Sequence, residues 1–498
     1  MEDYLQMGFW LAGFFSYEFG YFLEPSLSEF RPKHSSSPLV WLGVCREPLI
    51  FDHKNHNKPL EKIKGRSTHY EGAHSLAPST KKARITRFSG DSERIPYYEL
   101  KNLRSDLNET EYYSCIRKIK RQIEEGQTYQ VNFTFKYKFD FQGNILEFYL
   151  NLRRAQPTSY LAFLNTGKEY ILSLSPELFF RLEKNKIRVR PMKGTVSRGY
   201  LLNEDEERIY WLKNDIKNRA ENVMIVDLLR NDLGRISKIG TVVVEELFEV
   251  EKYRTLHQMT STMKSFLKKG TSFKEIFQAL FPSGSVTGAP KISTMKIIAE
   301  LEKEPRYIYT GAIGYISPYH EACFNVAIRT ILIKDGKGEM GVGGGIVYDS
   351  WQNQEYKEAH LKAHFLTHEF PQFSLIESIR WERKKGFHLL DLHLNRLTNS
   401  AHYFQISLDL ENVKKRLVAL KTEFQKERYK VRILVNLEGE IKISYQPLKE
   451  MLLPVKVKLS RKRIDSNSLF FYHKTTHRHL YDREKSLANR EGFFEVIF

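Results

Sequence analysis

Five segments rich in aromatic and β-branched residues follow one another through the first half of the chain, at 129–139, 159–164, 170–173, 178–182 and 186–189. Such residues fit the pleated, half-buried surface of a sheet. No helix is assigned between them, so the succession does not match the regular strand–helix–strand alternation of a doubly wound domain. Helical spacing is read at 109–126, with Asn108 or Thr110 near its cap and Gly126 as its stop, and at 205–232, 272–280, 289–301 and 354–367. Strands return at 308–316, 322–333 and 340–347. The expected fold class is α+β.

With 498 residues the chain exceeds what one hydrophobic core supports, so two or three domains are expected. Residues 52–108 are the most polar and irregular and read as surface connections. A linker is placed at 367–373, dividing a unit over 1–366 from one over 374–498. The second unit starts with a strand at 374–381, a turn at 384–386 and a helix at 389–404.

Composition narrows the function classes. The formal net charge is +18, but lysines and arginines are scattered among acids, as in Glu204-Asp205-Glu206-Glu207-Arg208, and no stacking-aromatic motif of the RNA-binding kind is present. That speaks against nucleic acid as a partner and for a solvated basic surface that attracts anionic metabolites. Three widely spaced cysteines point to a reducing, cytoplasmic setting. No run approaches the roughly 18 apolar residues of a membrane span.

Two stretches carry chemistry. Pro191-Met192-Lys193-Gly194-Thr195 sets an amine between a residue that fixes φ and one that permits close approach. Residues 281–291 form a small-residue loop containing Ser285 and Gly288 and ending in Lys291, just before a helical run. Together they suggest a pocket for a small dianion with a lysine facing its ring. A lysine in a turn is otherwise a solvated charge. Glu177, behind Ser175-Pro176 at a strand end, is placed so that strand pairing could bring it beside Lys193. Burial would lower the lysine pKa and raise that of the glutamate, giving a nucleophile and an acid.

Glu221 lies in a helical run whose ordinary reading is an amphipathic helix with solvated carboxylates. Glu355 and Glu358, three apart, share one face of another helix. Carboxylates from two helices, with no histidine or cysteine cluster, suit Mg²⁺. The glycine-rich run 341–346 exposes amide groups able to cradle a carboxylate, and Arg329 is a candidate bidentate partner for one. In the second unit Lys474, beside Thr475 and Thr476, is a candidate imine-forming lysine, and His473, His477 and His479 lack the carboxylate company of a metal site.

Four motifs carry a resemblance: residues 219–235, the Gly-Ala-Pro-Lys loop, Gly311-Ala312-Ile313-Gly314-Tyr315, and 343–346. Through them residues ~110–366 resemble the chorismate-utilising enzymes, and Gly13 to Glu18 is similar to that family's amino-terminal sheet, here shortened. The resemblance implies antiparallel sheets packed as a sandwich with surrounding helices. It also implies Mg²⁺ held by Glu221 and Glu358, and substrate carboxylates held by Arg329, Tyr309, Ser285 and the backbone of Gly343, Gly344 and Gly345, with Lys291 in the same loop. Lys193 resembles the branch that makes 4-amino-4-deoxychorismate, on the way to 4-aminobenzoate and folate. There the lysine attacks ring C2, an acid matching Glu177 assists loss of the C4 hydroxyl, and ammonia then displaces the lysine. Salicylate-forming members also carry a lysine here, so isochorismate, salicylate or anthranilate chemistry is the alternative. Members that release pyruvate place a histidine where this chain has Gln258, with His257 just before it. No glutaminase signature is present, so a separate glutamine amidotransferase subunit is the expected ammonia source.

Residues 374–498 resemble the amino-terminal part of the class IV aminotransferases, in their aminodeoxychorismate-lyase branch. That implies pyridoxal phosphate on Lys474 with Arg396 at its phosphate. The later glutamate and phosphate loop of that family have no counterpart before Phe498, so weak or absent cofactor binding is expected.

Overall fold

The computed structural model describes residues 1–32, 37–48, 51–52, 58–59, 97–367, 370–448 and 454–498. Most of the 52–108 stretch and part of the linker at 367–373 lie outside these residues. Among the described residues two large antiparallel sheets dominate. One runs Met192–Ser197, Leu256–Phe266, Lys186–Arg190, Leu178–Glu183, Ala322–Val326, Ala312–Ile316, Trp10–Phe15, Val40–Cys45, with Val243–Lys252 also paired to Leu256–Phe266. The other runs Gly288–Ala289, Gln130–Gly143, Lys337–Ile346, Thr330–Lys334, Tyr170–Ser175, Tyr160–Asn165, with Tyr98–Ser105 on its long strand.

The sheets face each other through Phe14 and Ile313 from the first and Ile171 and Leu332 from the second. Helices cover the outer faces. Glu109–Glu124, Ile145–Ala155, Lys291–Leu301 and Gln352–Ala363 pack on the second sheet around Phe133, Phe148 and Ile298. Ile216–Ile236 and Phe273–Leu280 pack on the first around Phe180, Leu233 and Phe277. The α+β sandwich expected from the sequence is therefore what the chain forms.

Three local readings are corrected. The run at 205–232 is two helices, Leu202–Asn214 and Ile216–Ile236, because Asp215 turns to ψ 123° and caps the second helix by accepting from Asn218 N. The segment at 322–333 is two strands in different sheets, joined through Arg329 at φ 49°. The helix Ile145–Ala155 separates the first two strand segments; Asn144 caps it, and its inner face buries Phe148 and Leu152.

The second unit is a four-stranded antiparallel sheet, Gly386–Phe387, Leu375–Glu382, Arg428–Val435, Ile441–Pro447, backed by helices Leu390–Tyr403 and Leu410–Leu420. Its core gathers Leu375, Ile379, Leu397, Val413, Val431 and Ile433. A parallel pair, Val457–Leu459 with Glu495–Ile497, flanks helix His479–Arg490.

Candidate active site

A cleft of about 380 Å³ opens between the two sheets and is lined by Glu177, Lys193, Glu221, Ser285, Tyr309, Arg329, Gly343, Gly344, Gly345, Glu355 and Glu358. Residues more than 180 positions apart in sequence meet there. Lys193 reaches it because of an irregularity in strand pairing. Met192 opposes Thr260 and Thr195 opposes Gln258, and the register shifts between them, so Lys193 and Gly194 bulge out of the ladder. A bulge of this kind re-aims a side chain. Gly194 sits at φ 91°, with Asn218 closing the space a side chain would need.

The Lys193 amine lies against Gly345, where a Cβ would come within 2.3 Å of Nζ. Burial lowers its pKa, against the opposing pull of Glu221, Glu355 and Glu358. Glu177 is 3% exposed, and burial pushes its carboxyl up to about 7, despite a hydrogen bond from Ser285 and the nearby Lys193 charge. Ser285 Oγ donates to Glu177 Oε1 at 2.5 Å and is itself 2.9 Å from Ser283 Oγ. The cleft thus holds an amine and a carboxyl both biased toward their neutral forms.

One wall is backbone. A Cβ at Gly343 would strike Phe133 O at 2.1 Å, and one at Gly344 would approach Glu355 Oε2 at 3.4 Å. Facing this wall, buried Arg329 donates to Gln156 Oε1 at 2.7 Å, and burial lowers its pKa. Tyr309 packs against Gly341. Arg329, Tyr309 and the glycine amides offer the donors a dianion needs.

On the other side Glu358 pairs with Lys362 at 2.9 Å, and Lys362 donates to Gly343 O at 2.8 Å. Lys362 holds the Glu358 carboxyl below its ordinary range against the effect of burial. Glu355 accepts from Ser350 Oγ at 2.7 Å, and burial, reinforced by Glu358, raises its pKa. Among the described residues no close group of three metal-ligating side chains occurs. A magnesium ion needs only one or two carboxylates, completing its shell with water and substrate oxygens. Glu221, Glu355 and Glu358 line one side of the cleft and are the carboxylates such an ion could use, with Glu358 also paired to Lys362.

Two expected residues are not brought into the cleft. Lys291 ion-pairs with Asp232 at 2.7 Å and donates to Leu280 O. Gly288, at φ 142°, pairs with Val131, where a Cβ would meet Gln130 O at 2.0 Å, so its role is packing. Gln258, singled out by the resemblance, does arrive, and Gln130 lies just behind the glycine wall. Gln130 is fully buried with both amide atoms unpartnered, and its Nε2 would lie 2.8 Å from a Cβ on Gly345, beside the Lys193 amine. Gln258 lines the cleft, whereas His257, one residue earlier and on the opposite strand face, turns its Nε2 to Asp205 at 2.7 Å.

Residues 2–368 match the family of chorismate binding enzymes. The chain belongs to the chorismate-binding enzymes. Residues 374–498 match the amino-transferase class IV family. This chorismate-binding enzyme is 33% identical over 357 residues to aminodeoxychorismate synthase component 1 of Bacillus subtilis, covering 70% of this chain and 74% of that protein. It is 34% identical over 364 residues to anthranilate synthase component 1 of Aquifex aeolicus, covering 71% and 73%. The crystal structure of anthranilate synthase component I from Streptococcus pneumoniae superposes with a TM-score of 0.60 at 28% identity, covering 72% of this chain and 80% of that one. Among the described residues, no helix is long and apolar enough to cross a membrane.

In the second unit Lys474 Nζ lies 3.6 Å from Glu377 Oε2, and burial lowers its pKa. Arg396 donates to both Glu377 oxygens, from Nε at 2.7 Å and Nη2 at 2.8 Å, and His393 Nδ1 is 2.7 Å from the same carboxylate. The amine suits imine formation. Arg396 and Lys474 line one cavity of about 260 Å³, with the Arg396 guanidinium paired to Glu377 at its side.

Proposed function

We propose that the enzyme converts chorismate and ammonia to 4-amino-4-deoxychorismate and water. The observation that carries this reading is the pairing, in one cleft, of a buried Lys193 amine with a Glu177 carboxyl held protonated to about 7. Lys193 attacks ring C2; the two ring double bonds shift, and the C4–O bond breaks as Glu177 gives its proton to the departing hydroxyl, which leaves as water. Ammonia then forms the C4–N bond, the double bonds return, and Lys193 is expelled with its electron pair. Arg329, Tyr309, Ser285 and the 343–345 backbone hold the carboxylates. Glu221, Glu358 and Glu355 would hold Mg²⁺, which supplies positive charge for the ring carboxylate.

The naming of relatives as "component 1" supports a partner subunit, and a glutamine amidotransferase is the partner we propose as ammonia source. Three free, separated cysteines support a cytoplasmic setting. For the second unit we propose weak or no pyridoxal phosphate binding; titration should give no bound-cofactor absorbance.

The test is incubation with chorismate and Mg²⁺, with and without ammonium salt. Product carrying C4 nitrogen, formed only with ammonium and lost in Lys193→Ala, is expected. Isochorismate formed without ammonium, or release of pyruvate, would replace this reading with the water-using or anthranilate-type chemistry of the same family.

A further inference from the structure

The strand that carries Lys193 ends at Ser197, and the turn after it is held by a buried polar network. Arg198 forms a two-pronged pair with Asp205, Nε to Oδ1 at 2.6 Å and Nη2 to Oδ2 at 2.7 Å. Asp205 is fully buried, takes His257 Nε2 at 2.7 Å, and accepts Gly199 N at 3.1 Å. His257 lies opposite Val196 on the neighbouring strand, so the network fastens the turn to the sheet.

The remaining partners of this turn come from the other unit. Arg198 Nη2 donates to the backbone oxygen of Tyr403 at 2.9 Å, and its guanidinium lies 4.2 Å over the Tyr403 ring. The Tyr403 hydroxyl donates to Gly199 O at 2.6 Å. His473, the residue before Lys474, has Nε2 3.0 Å from Tyr200 O and Nδ1 3.0 Å from Ser400 Oγ. Tyr200 stacks on Tyr472 at 4.8 Å and 13°. Each carbonyl of the Gly199–Tyr200 turn is thus received by a side chain of the class IV-type unit.

We propose that Tyr403 and His473 are positioning residues for Lys193: the class IV-type unit clamps the far end of the nucleophile's strand. The bulge that aims Lys193 has a ladder only on its flanks, so its geometry depends on both ends being fixed. The Met192 end is set by the core; the other end is paired through Thr195, Val196 and Ser197 to Gln258, His257 and Leu256, and this clamp holds the turn just beyond it. Small displacements of a reacting group cost large factors in rate. The inference rests on Lys193 being the nucleophile, and its primary test does not need turnover.

The experiment is competitive acylation of Lys193 across pH, read by peptide mass spectrometry on the full chain. It compares wild type, Tyr403→Phe, His473→Phe and the control Tyr445→Phe, whose hydroxyl serves Glu423 in the same unit. Tyr403→Phe keeps the ring and removes only the donor to Gly199; His473→Phe removes the donor to Tyr200. Both are expected to change the Lys193 acylation rate and, with ammonium as nitrogen source, to lower kcat by about 10-fold with KM for chorismate nearly unchanged. Tyr445→Phe is expected to match wild type in both. Wild-type Lys193 acylation in both clamp variants, or an equal change in Tyr445→Phe, overturns the clamp whatever the turnover. Altered acylation in a protein that makes no aminated product in any form keeps the clamp and overturns the proposed reaction instead.

Discussion

Burial makes ionisation costly for both Glu177 and Lys193, which biases each to the neutral form that the proposed amination uses. The rate should fall toward high pH, where Glu177 has lost the proton it donates, and toward low pH, where Lys193 has gained one. A kcat/KM profile on ammonium should be bell-shaped, and Glu177→Gln should lose the alkaline limb along with roughly 100-fold or more of the rate. The same carboxyl bears on stability. Its folded pKa, about 7, lies above the ordinary 4.5, so the stability it contributes is present below 4.5 and lost as pH rises through 7. Glu177→Gln should therefore melt higher than wild type at pH ~8, by on the order of 2 kcal/mol, with little difference at pH ~5. That Lys193, Glu177, Glu355 and Glu358 are worth placing near one another was legible from residue type and spacing; the cleft brings them together with Glu221. Ser285 and Tyr309 were legible only through family resemblance. Gln130 was not, because one glutamine in an aromatic strand looks like any outward-facing polar residue; it is buried beside Ala289, its partner on the flanking edge strand.

At the scale of elements, Asp205 shows what local pattern cannot reveal. In the run 204–208 it reads as one solvated charge among five, yet it is fully buried. Its partners lie in the preceding turn and 52 positions away on another strand. Burial alone would raise its pKa, but hydrogen bonds from His257 and Arg198 hold it at about 2. The stability it contributes is therefore present above its ordinary value of 3.8 and lost as pH falls through 2. Asp205→Asn leaves Arg198 buried without its counter-charge and should cost about 3–5 kcal/mol, measured by denaturant unfolding. The break at Asp215 and the split of 322–333 have the same origin. Helical and strand periodicity run through both positions, and the turn is dictated by which sheet or cap the next residues join.

At the scale of the molecule, the cleft exists because two sheets from distant sequence face each other, and it gathers three carboxylates from two helices at one side. A cation that binds only this folded arrangement stabilises it by mass action. Thermal melts with chorismate should rise with Mg²⁺, by about 2.7 kcal/mol at 100 times the dissociation constant, and chelation should reverse the gain. Glu221→Gln and Glu358→Gln should blunt the response, while a double change at exposed Glu411 and Glu427 should leave it intact. The α+β class followed from segment order and length. The packing of one unit onto the other did not, since Arg198, Tyr403 and His473 carry no mark in sequence of meeting.

The Tyr403 and His473 contacts also set a rule for recombining such modules. A graft that replaced everything after residue 373 with a sequence unrelated at those two positions would present two bare carbonyls, Gly199 and Tyr200, to whatever surface arrived. Chimeras built at this junction should work in proportion to how well the incoming piece supplies a phenol and an imidazole there.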